Sequence, residues 1–424
     1  MPSEWRETTL GEVCETVTDG AHASPASVDD GMPMASVKDL TRYGIALSGC
    51  RRISRRDFDK LVRDGCQPRC GDVLMAKDGA SCLETVCVFD QPDELVLLSS
   101  VAIFRPSPSL DAHFLRYYLE WPQTKALLRG GYVSGSAIPR VVLRDFKAAP
   151  VPLPPLPTQL AIARVLGALD DKIELDRKMN ETLEQMARAI FKSWFVDFEP
   201  FRDKGMVDSS LGKIPKGWEV KALGEVAERV AMGPFGSSIK VDTFVVEGIP
   251  VISGQHLWGI MLNDLNYNFV TPEHADKLSN ANVYRGDVVF THAGSIGQVA
   301  WIPESSKYER YVISQRQFYM RCDLAKVCPS YVVYYFSSPE GQHKLLANTS
   351  SSGVPSISRP VTYLRSIQMP VPPRRVLEEF EGAVRPVHLQ MRSQVAQSRT
   401  LAAIRDALLP KLMSGEVRVE TRTA

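Results

Sequence analysis

The sequence lacks the features that mark several broad classes of protein. Over 424 residues, 50 Lys and Arg stand against 49 Asp and Glu, so the formal net charge is only +1. A balance this close to zero gives no overall attraction to nucleic acid, and any such binding has to rest on local clusters of charge. Long apolar runs are also missing, since Met1–Leu10 is polar and Leu95–Phe104 is too short to span a bilayer. We therefore expect a cytoplasmic protein that makes no contact with a membrane.

Motifs of common enzyme chemistries are absent as well. The sequence has no Walker A loop, no Gly-x-Ser-x-Gly elbow and no His-Glu-x-x-His helix. Gly294–Gly297 is too short for a dinucleotide fingerprint, and Pro154–Pro155 and Pro372–Pro373 lack the flanking residues of an amino-methyltransferase signature. These absences argue against a self-contained nuclease or methyltransferase. We expect no catalytic residue, no bound metal and no cofactor in this chain.

Cysteine is sparse and unevenly distributed. Six of the eight cysteines fall within the first 87 residues. Cys66-x3-Cys70 and Cys82-x4-Cys87 would make a zinc site only with loose ligand spacing. The favoured alternative is that these thiols act as small buried apolar side chains in a reducing compartment.

The sequence does contain two long stretches with a helical period. In Pro157–Phe195 and Pro373–Met413, apolar residues recur at alternating steps of three and four, which is the seam of a helix that packs on another helix. At ~1.5 Å per residue, each stretch would form a rod of ~50 Å that can serve as a spacer. The seam residues are Ile162, Leu166, Leu169, Ile173, Leu183 and Ile190 in the first stretch, and Leu377, Phe380, Val384, Met391, Leu401 and Leu408 in the second.

Polar residues interrupt both seams. Asp176 and Asn180 break the first, and Gln394 and Ser398 break the second. A polar layer inside an apolar stripe weakens packing but fixes one alignment of two helices, so we expect these residues to set the register of the pair. Pro386 is expected to kink the second helix.

The segment that precedes each helix occurs twice. Five landmarks recur in one order at offsets of 213 to 218 residues, and their first residues are Trp5 and Trp218, Gly31 and Gly248, Gly71 and Gly286, Tyr117 and Tyr334, and Val151 and Met369. Such a tandem duplication predicts two similar α+β domains, joined by two long antiparallel coiled-coil helices in a pseudo-twofold arrangement. The predicted boundaries are 1–156 and 215–373 for the domains, 157–196 and 374–413 for the helices, 197–214 for a linker and 414–424 for a tail.

Local patterns predict the elements inside each domain. Short apolar runs bounded by Gly, Asp and Pro predict strands at Asp72–Met75, Leu95–Arg105, Gly286–Thr291 and Val312–Arg321. Short helices are predicted at His113–Trp121 and Ser330–Ser337, with their Tyr pairs facing a core. The Pro-rich exits Ala149–Pro157 and Met369–Pro373 predict extended segments similar to polyproline II.

Several of these stretches together resemble a known family. Val151–Gln159, Phe191–Pro200, Gly233–Ser238 and Leu408–Glu416, combined with the two-copy plan, resemble the DNA-specificity subunit of Type I restriction-modification systems. The resemblance implies two target-recognition domains, each reading one half of a split double-stranded DNA target. It also implies a helix pair that binds two modification (methyltransferase) subunits and supports the restriction (endonuclease and translocase) subunits. S-adenosylmethionine, ATP and Mg would belong to those partners, because the family's specificity subunit has no catalysis of its own.

The candidate DNA contacts lie in loops and in one basic run. Met232–Lys240 offers exposed glycine backbone, hydroxyl groups and an ammonium group, and Asp19–Ser24 is its positional counterpart. The two loops differ, which implies unequal half-sites and a target that is not a palindrome. Lys38 and Gln255 follow equivalent strand-like runs, and their side chains suit guanine and adenine respectively. The residues predicted to contact DNA are Asp19, Gly20, His22, Lys38, Arg51, Arg52, Arg55, Lys77 and Arg140 in the first domain, and Gly236, Ser237, Ser238, Lys240, Gln255, His292, Arg316 and Arg359 in the second.

Each of these candidates also has a structural alternative. The glycine loop could be a plain turn, His22 a structural histidine, Lys38 and Gln255 solvated strand ends, and the basic run Arg51–Arg69 a solvated face. Arg140 and Arg359 end paired segments of the repeat, and we predict that they share a role. At the level of the whole chain, the alternative is a coiled-coil adaptor that joins proteins and never touches DNA.

Overall fold

The chain folds into two units of mixed helix and sheet. The computed structural model describes residues 4–134, 139–234, 236, 238–350 and 353–420. Unit 1 comprises Met1–Arg177 and Gln394–Ala424, and unit 2 comprises Lys178–Ser393. The α+β fold class predicted from the sequence is confirmed. Within the described ranges, no helix is both long enough and apolar enough to cross a membrane.

Two helices of 40 residues each stand out from the short elements around them. The first long helix covers Leu156–Phe195 and the second covers Arg374–Met413, so both predicted helices are confirmed. Each contributes one half to unit 1 and the other half to unit 2. The second long helix continues through Pro386.

Unit 1 is built around a four-stranded antiparallel sheet, which we call its main sheet. Its strands, in spatial order, are Cys14–Asp19, Val101–Pro106, Asp72–Ala76 and Val86–Phe89. A three-stranded side sheet contains Arg51–Ile53, Met32–Ala35 and Val96–Leu97, the last two parallel. Strand pairs form between Arg6–Thr9 and Pro150–Leu153, Leu40–Thr41 and Gly44–Ile45, and Val133–Ser134 and Arg140–Val141. The shorter helices are Leu10–Val13, Arg55–Arg63, Ala112–Glu120, Pro122–Tyr132 and Leu143–Ala148.

Unit 2 repeats this plan. Its main sheet contains Ala227–Met232, Gln317–Cys322, Val288–Thr291 and Val299–Trp301 in the corresponding order. Its side sheet contains Asn268–Val270, Ile249–Ile252, Arg310–Ile313 and an added strand, Asn282–Tyr284. Strand pairs form between Glu219–Ala222 and Gln368–Val371, Thr349–Ser350 and Ser356–Ile357, and Met206–Ser209 and Gly212–Pro215. The shorter helices are Leu223–Val226, Pro272–Lys277, Pro329–Ser337, Pro339–Leu346 and Pro360–Ser366.

A buried ion pair explains the repeated Gly-Asp-Val landmark. The Arg105 guanidinium donates two hydrogen bonds to Asp72, at 2.9 and 2.6 Å, and Arg321 donates two to Asp287, at 2.8 and 2.7 Å. Each aspartate is 1% exposed and joins neighbouring strands of its main sheet. The repeated aspartate is therefore part of the framework, since a buried carboxylate needs such a partner.

The halves of the two long helices pack on each other in antiparallel fashion inside each unit. In unit 1, Asp176 accepts a hydrogen bond from Ser398 at 3.4 Å, and Asp170 accepts one from Arg405 at 2.7 Å. In unit 2, the Phe195 and Phe380 rings lie 4.9 Å apart. All twelve predicted seam residues are buried or half-buried. Seven seam residues also face the domains, because they belong to the same apolar cores as side chains of the main sheets: Ile162, Leu166 and Leu408 in unit 1, and Ile190, Leu377, Phe380 and Val384 in unit 2.

In three places the structure differs from the local prediction. The Pro-rich exits are strands, Pro150–Leu153 and Gln368–Val371, and proline is tolerated there because a two-stranded ladder has only edges. The segment predicted as a linker, 197–214, contains a short helix and most of a hairpin, and its Phe201 and Ile214 side chains are buried. The single strands predicted at Leu95–Arg105 and Val312–Arg321 are each two strands separated by a turn. The strand at Asp72–Met75, the two short helices and the buried Tyr pairs are confirmed.

His388 should make the stability of unit 2 depend on pH. Its buried ring is hydrogen-bonded to the Tyr334 hydroxyl at 2.8 Å, and burial lowers its pKa to about 4. In the unfolded chain His388 takes up a proton near pH 6.5, whereas in the folded chain it does so only near pH 4. The free energy of unfolding therefore has its full value above pH 6.5 and falls by about 3 kcal/mol between pH 6.5 and 4. Urea unfolding across this range should show the loss, and His388→Gln should show much less of it. Parallel pH profiles for the two proteins would contradict the assignment.

Candidate nucleic-acid interface

Equivalent turns at the end of one inner strand of each main sheet carry several of the predicted DNA contacts. Lys77 follows Asp72–Ala76 in unit 1, and His292 follows Val288–Thr291 in unit 2. The Lys77 N–H donates to the Ser100 carbonyl at 2.9 Å, and the His292 N–H donates to the Arg316 carbonyl at 2.9 Å. Lys77 and His292 are thus structural counterparts, and so are Ser100 and Arg316.

In unit 1 the turn holds a connected row of charged side chains. His22 Nε2 lies 3.2 Å from Asp19 Oδ1, and Lys77 Nζ lies 3.2 Å from Asp19 Oδ2. Lys77 Nζ also lies 3.5 Å from Asp78 Oδ1, and the Arg140 guanidinium donates to both Asp78 oxygens, at 3.0 and 3.3 Å. The inner members are buried, whereas the side chains of His22 and Arg140 are 78% and 56% exposed. Buried charges therefore hold two exposed polar groups at the ends of the row.

This row shows where Lys77 lies and brings Asp78 next to the predicted residues. Lys77 is only 4% exposed and sits between two carboxylates, so its ammonium group cannot lie on a DNA surface without leaving both. Its role is to position its neighbours, because a buried cation is kept by its anionic partners. Asp78 was missed by sequence reasoning, although its place directly after Lys77 in the repeated turn was a usable signal.

In unit 2 the corresponding turn is less charged and borders a cavity. His292 Nε2 lies 3.1 Å from the Gln315 carbonyl, and burial lowers the pKa of this imidazole. Gln255 and Arg316, both exposed, line a cavity of about 210 Å³ that also contacts Ile239. The structure thus brings the predicted residues Gln255 and Arg316 to one opening beside the loop Met232–Lys240.

Lys38 and Gln255 occupy equivalent 3-10 turns, Val37–Asp39 and Gly254–His256. The Ser36 N–H donates to the Asp39 carboxylate at 2.9 Å, and the Ser253 N–H donates to His256 Nδ1 at 2.9 Å. Both turns are therefore fixed by the last residue of the turn. The Lys38 and Gln255 side chains are exposed, and their reading of bases stays a prediction.

Arg140 and Arg359 are not counterparts, contrary to the prediction. The Gly79 N–H donates to the Pro139 carbonyl at 3.0 Å, and the Gly294 N–H donates to the Pro355 carbonyl at 3.0 Å. The residue after each proline pairs with the turn, so Ser356 occupies the place of Arg140. Arg359 instead caps the helix Pro360–Ser366 in a left-handed conformation, at φ +46°.

The remaining candidates lie elsewhere or on loop backbone. Arg51, Arg52 and Arg55 belong to the edge of the side sheet and the helix that follows it, and no contact among the described residues joins them to the Lys77 row. Gly236 has φ +63°, as a tight turn requires, and the Ser238 carbonyl accepts a hydrogen bond from His274 at 2.8 Å. The Lys240 side chain is exposed, and Ser237 lies outside the described residues.

The proposed zinc alternative finds no support in the coordinates. No group of three His, Cys, Asp or Glu placed to hold a metal occurs among the residues that the structure describes. Cys66, Cys82 and Cys87 are buried free thiols, and burial raises the pKa of each. A protonated buried thiol behaves as a small apolar side chain.

Comparison with known proteins finds similarity to specificity subunits of Type I restriction-modification systems. The family model described as the Type I restriction modification DNA specificity domain matches residues 2–185. The Type I restriction enzyme MjaIX specificity subunit of Methanocaldococcus jannaschii is 28% identical over 322 residues, covering 72% of this chain and 69% of the relative. The chain is therefore similar to Type I restriction-modification specificity subunits over most of its length, and its residues 2–185 match their DNA specificity domain.

Further similarities extend along nearly the whole chain. The HindI specificity subunit of Haemophilus influenzae is 25% identical over 336 residues, covering 66% of this chain and 71% of that protein. The crystal structure of the S subunit of a Type I restriction-modification system from M. genitalium superposes with a TM-score of 0.54, at 14% identity, over 96% of both chains. At that identity the structural likeness bears on the fold alone.

Proposed function

We propose that this chain is a Type I specificity subunit that reads a bipartite, asymmetric DNA target, with one half-site for each unit. The observation that carries the proposal is one framework, built twice, that presents different side chains at equivalent positions. Where unit 1 has Lys38 and Arg140, unit 2 has Gln255 and Ser356. A reader of a palindrome needs equal surfaces, whereas unequal surfaces on equal frameworks suit two different sequences.

The long helices are proposed to set the unspecified gap between the half-sites and to carry the modification subunits, which in turn support the restriction subunits. Each helix runs through both units, so its length links the two readers. Half-sites read from one side of a duplex lie about one turn, ~34 Å, apart, and a helix of 40 residues is ~60 Å long. The helices also expose apolar side chains, including Leu175, Met186 and Leu389, which a partner subunit could cover.

We further propose that the chain performs no chemistry itself. The exposed polar groups near the turns are cations, amides and hydroxyls, which suit phosphates and base edges. S-adenosylmethionine, ATP and Mg would then be bound by the partner subunits. A turnover assay of the isolated chain with these compounds should give no methylation and no cleavage of DNA.

Exchange of one domain tests the modular reading directly. Replacing residues 1–150 with the first domain of another specificity subunit should change one half of the methylated sequence and leave the other half intact. Methylated sites would be mapped in DNA from cells that carry the chimaera together with its modification and restriction subunits. A change in both halves, or in neither, would contradict the assignment of one half-site to each unit. An adaptor that never touches DNA would leave the methylated sequence unaltered.

A further inference from the structure

Unit 2 contains a basic groove beside the loop Met232–Lys240, and the cations that line it were not among the residues predicted from the sequence. The groove has a volume of about 680 Å³. One wall is the end of the strand Ala227–Met232 and the start of the loop, and the opposite walls are the segment 277–281 and the helix Pro360–Ser366. It is thus continuous with the base of the predicted reading loop.

Three cations line this groove, Arg229, Lys277 and Arg365. No carboxylate occurs among its described lining residues. Lys277 and Arg365 are exposed, and neither pairs with a carboxylate among the residues that the structure describes. Arg229 is half-buried, and its Nη2 donates to the Asn280 side-chain oxygen at 2.7 Å, which fixes the guanidinium at the wall. The groove therefore combines one cation fixed by a hydrogen bond with two exposed cations.

The remaining polar groups of the groove also favour an anion. Ser238, Ser279 and Asn280 add hydroxyl and amide groups, and the loop adds backbone at Gly233 and Pro234. Arginine, lysine and small polar side chains are the groups that bind DNA phosphates, and such contacts hold a protein in register while neighbouring loops read bases. A groove that is open to solvent suits a continuous nucleic-acid strand better than it suits an enclosed small molecule.

We propose that this groove binds the sugar-phosphate backbone of the DNA beside the half-site read by unit 2. The proposal rests on the proposed function and names residues that position the DNA rather than specify its sequence. Two of the equivalent positions differ in unit 1. Thr16 pairs with Arg105 in the main sheet of unit 1, as Arg229 pairs with Arg321 in unit 2, so a neutral threonine stands in the place of Arg229. Lys147 lies beside Gly11 as Arg365 lies beside Gly224, so a lysine stands in the place of Arg365. The backbone contact is therefore expected to be stronger on the half-site of unit 2.

Salt dependence of DNA binding tests this assignment. The full chain, assembled with its modification subunits, is titrated on duplexes that carry the mapped target or a scrambled sequence, from about 50 to 200 mM salt. Lys277→Gln and Arg365→Gln should each reduce the slope of log K against log salt by about 0.9, and together by about 1.8. They should weaken binding to target and scrambled duplex by the same factor, and the methylated sequence should stay unchanged. Lys213→Gln is the matched control, since its side chain is 69% exposed and lies outside the groove.

The possible outcomes separate this inference from the proposed function. If the salt slopes of Lys277→Gln and Arg365→Gln equal that of Lys213→Gln, the groove does not bind the DNA backbone. The proposal that the chain reads a DNA sequence would be unaffected. A changed methylated sequence in Lys277→Gln or Arg365→Gln would also overturn it, because phosphate contacts carry no sequence information. Failure of the unaltered complex to prefer its target over the scrambled duplex would instead refute the proposed function. Arg229→Lys, which keeps the charge of the half-buried position, should retain the slope that Arg229→Gln loses.

Discussion

Replacing Asp170 with Asn is expected to lower the midpoint of thermal unfolding of unit 1 by about 10 °C. The reason is the number of groups that converge on this carboxylate. Asp170 is 2% exposed and lies in the first long helix. Its oxygens accept hydrogen bonds from Arg405 at 2.7 Å, Arg116 at 2.9 Å, Tyr117 at 2.7 Å and Arg42 at 3.1 Å. One side chain thereby joins both long helices, a helix of the domain and the hairpin after the 3-10 turn that carries Lys38.

The charge balance of this cluster sets the size of the effect. Burial by itself would raise the pKa of Asp170, but the surrounding guanidinium groups and the Tyr117 hydroxyl outweigh it and lower the pKa to about 2. The folded-state pKa is therefore below the unfolded value of about 3.9, so this stabilisation is present above pH 4 and is lost as the pH falls through 2. Asp170→Asn removes this charge at every pH, and the loss of one partner from a buried ion pair destabilises a protein by about 3 to 5 kcal/mol.

Asp171→Asn is the matched control for this substitution. Asp171 is the next residue of the same helix and is exposed, so the loss of its charge should change stability by less than about 0.5 kcal/mol. Calorimetry of the two variants would measure the difference. Equal midpoints for Asp170→Asn and Asp171→Asn would mean that the cluster adds nothing to stability.

The sequence predicted the architecture well because its strongest signals are periodic. A periodic apolar pattern over 40 residues still predicts a helix when a few positions depart from it. Five landmarks in one order likewise identify a duplication, whatever the role of each landmark. Irregular segments were predicted poorly. Pro150–Leu153 forms a strand only because Arg6–Thr9 arrives to pair with it, and that partner lies far away in the chain. Composition near the prolines carries no information about such a partner.

The sequence predicted which loops carry the candidate residues, but it did not predict which side chains contact one another there. Three residues predicted at these turns, Asp19, Lys77 and Arg140, do lie close together, and their contact with DNA stays a prediction. Their contacts decide which of them is exposed, and those contacts depend on tertiary geometry. Asp170 was passed over for the same reason, because a single aspartate beside a helical seam looks like a solvated position until Arg405 and Arg116 are placed around it.

Gly20→Ala and Gly233→Ala are expected to disrupt one reading surface each. These glycines directly follow the equivalent strands Cys14–Asp19 and Ala227–Met232 and lie in the loops that are proposed to read DNA. A Cβ at Gly20 would lie 2.1 Å from the Leu97 carbonyl oxygen, and a Cβ at Gly233 would lie 2.0 Å from that of Ser314. Because backbone atoms block both positions, the strand end has to move, at a cost of about 3 kcal/mol or more.

The functional consequence should be confined to one half-site in each case. Gly20→Ala displaces the loop that carries His22, and Gly233→Ala displaces Met232–Lys240 together with the adjoining basic groove. Binding to duplexes with a single altered half-site would show the difference: a variant that has lost one contact surface becomes insensitive to changes in that half of the target. Gly167→Ala is the control, since a Cβ there meets nothing within 4 Å and alanine should stabilise the first long helix by about 0.5 to 1 kcal/mol. Equal loss of sensitivity to both halves in either loop variant would mean that the two units do not read DNA independently.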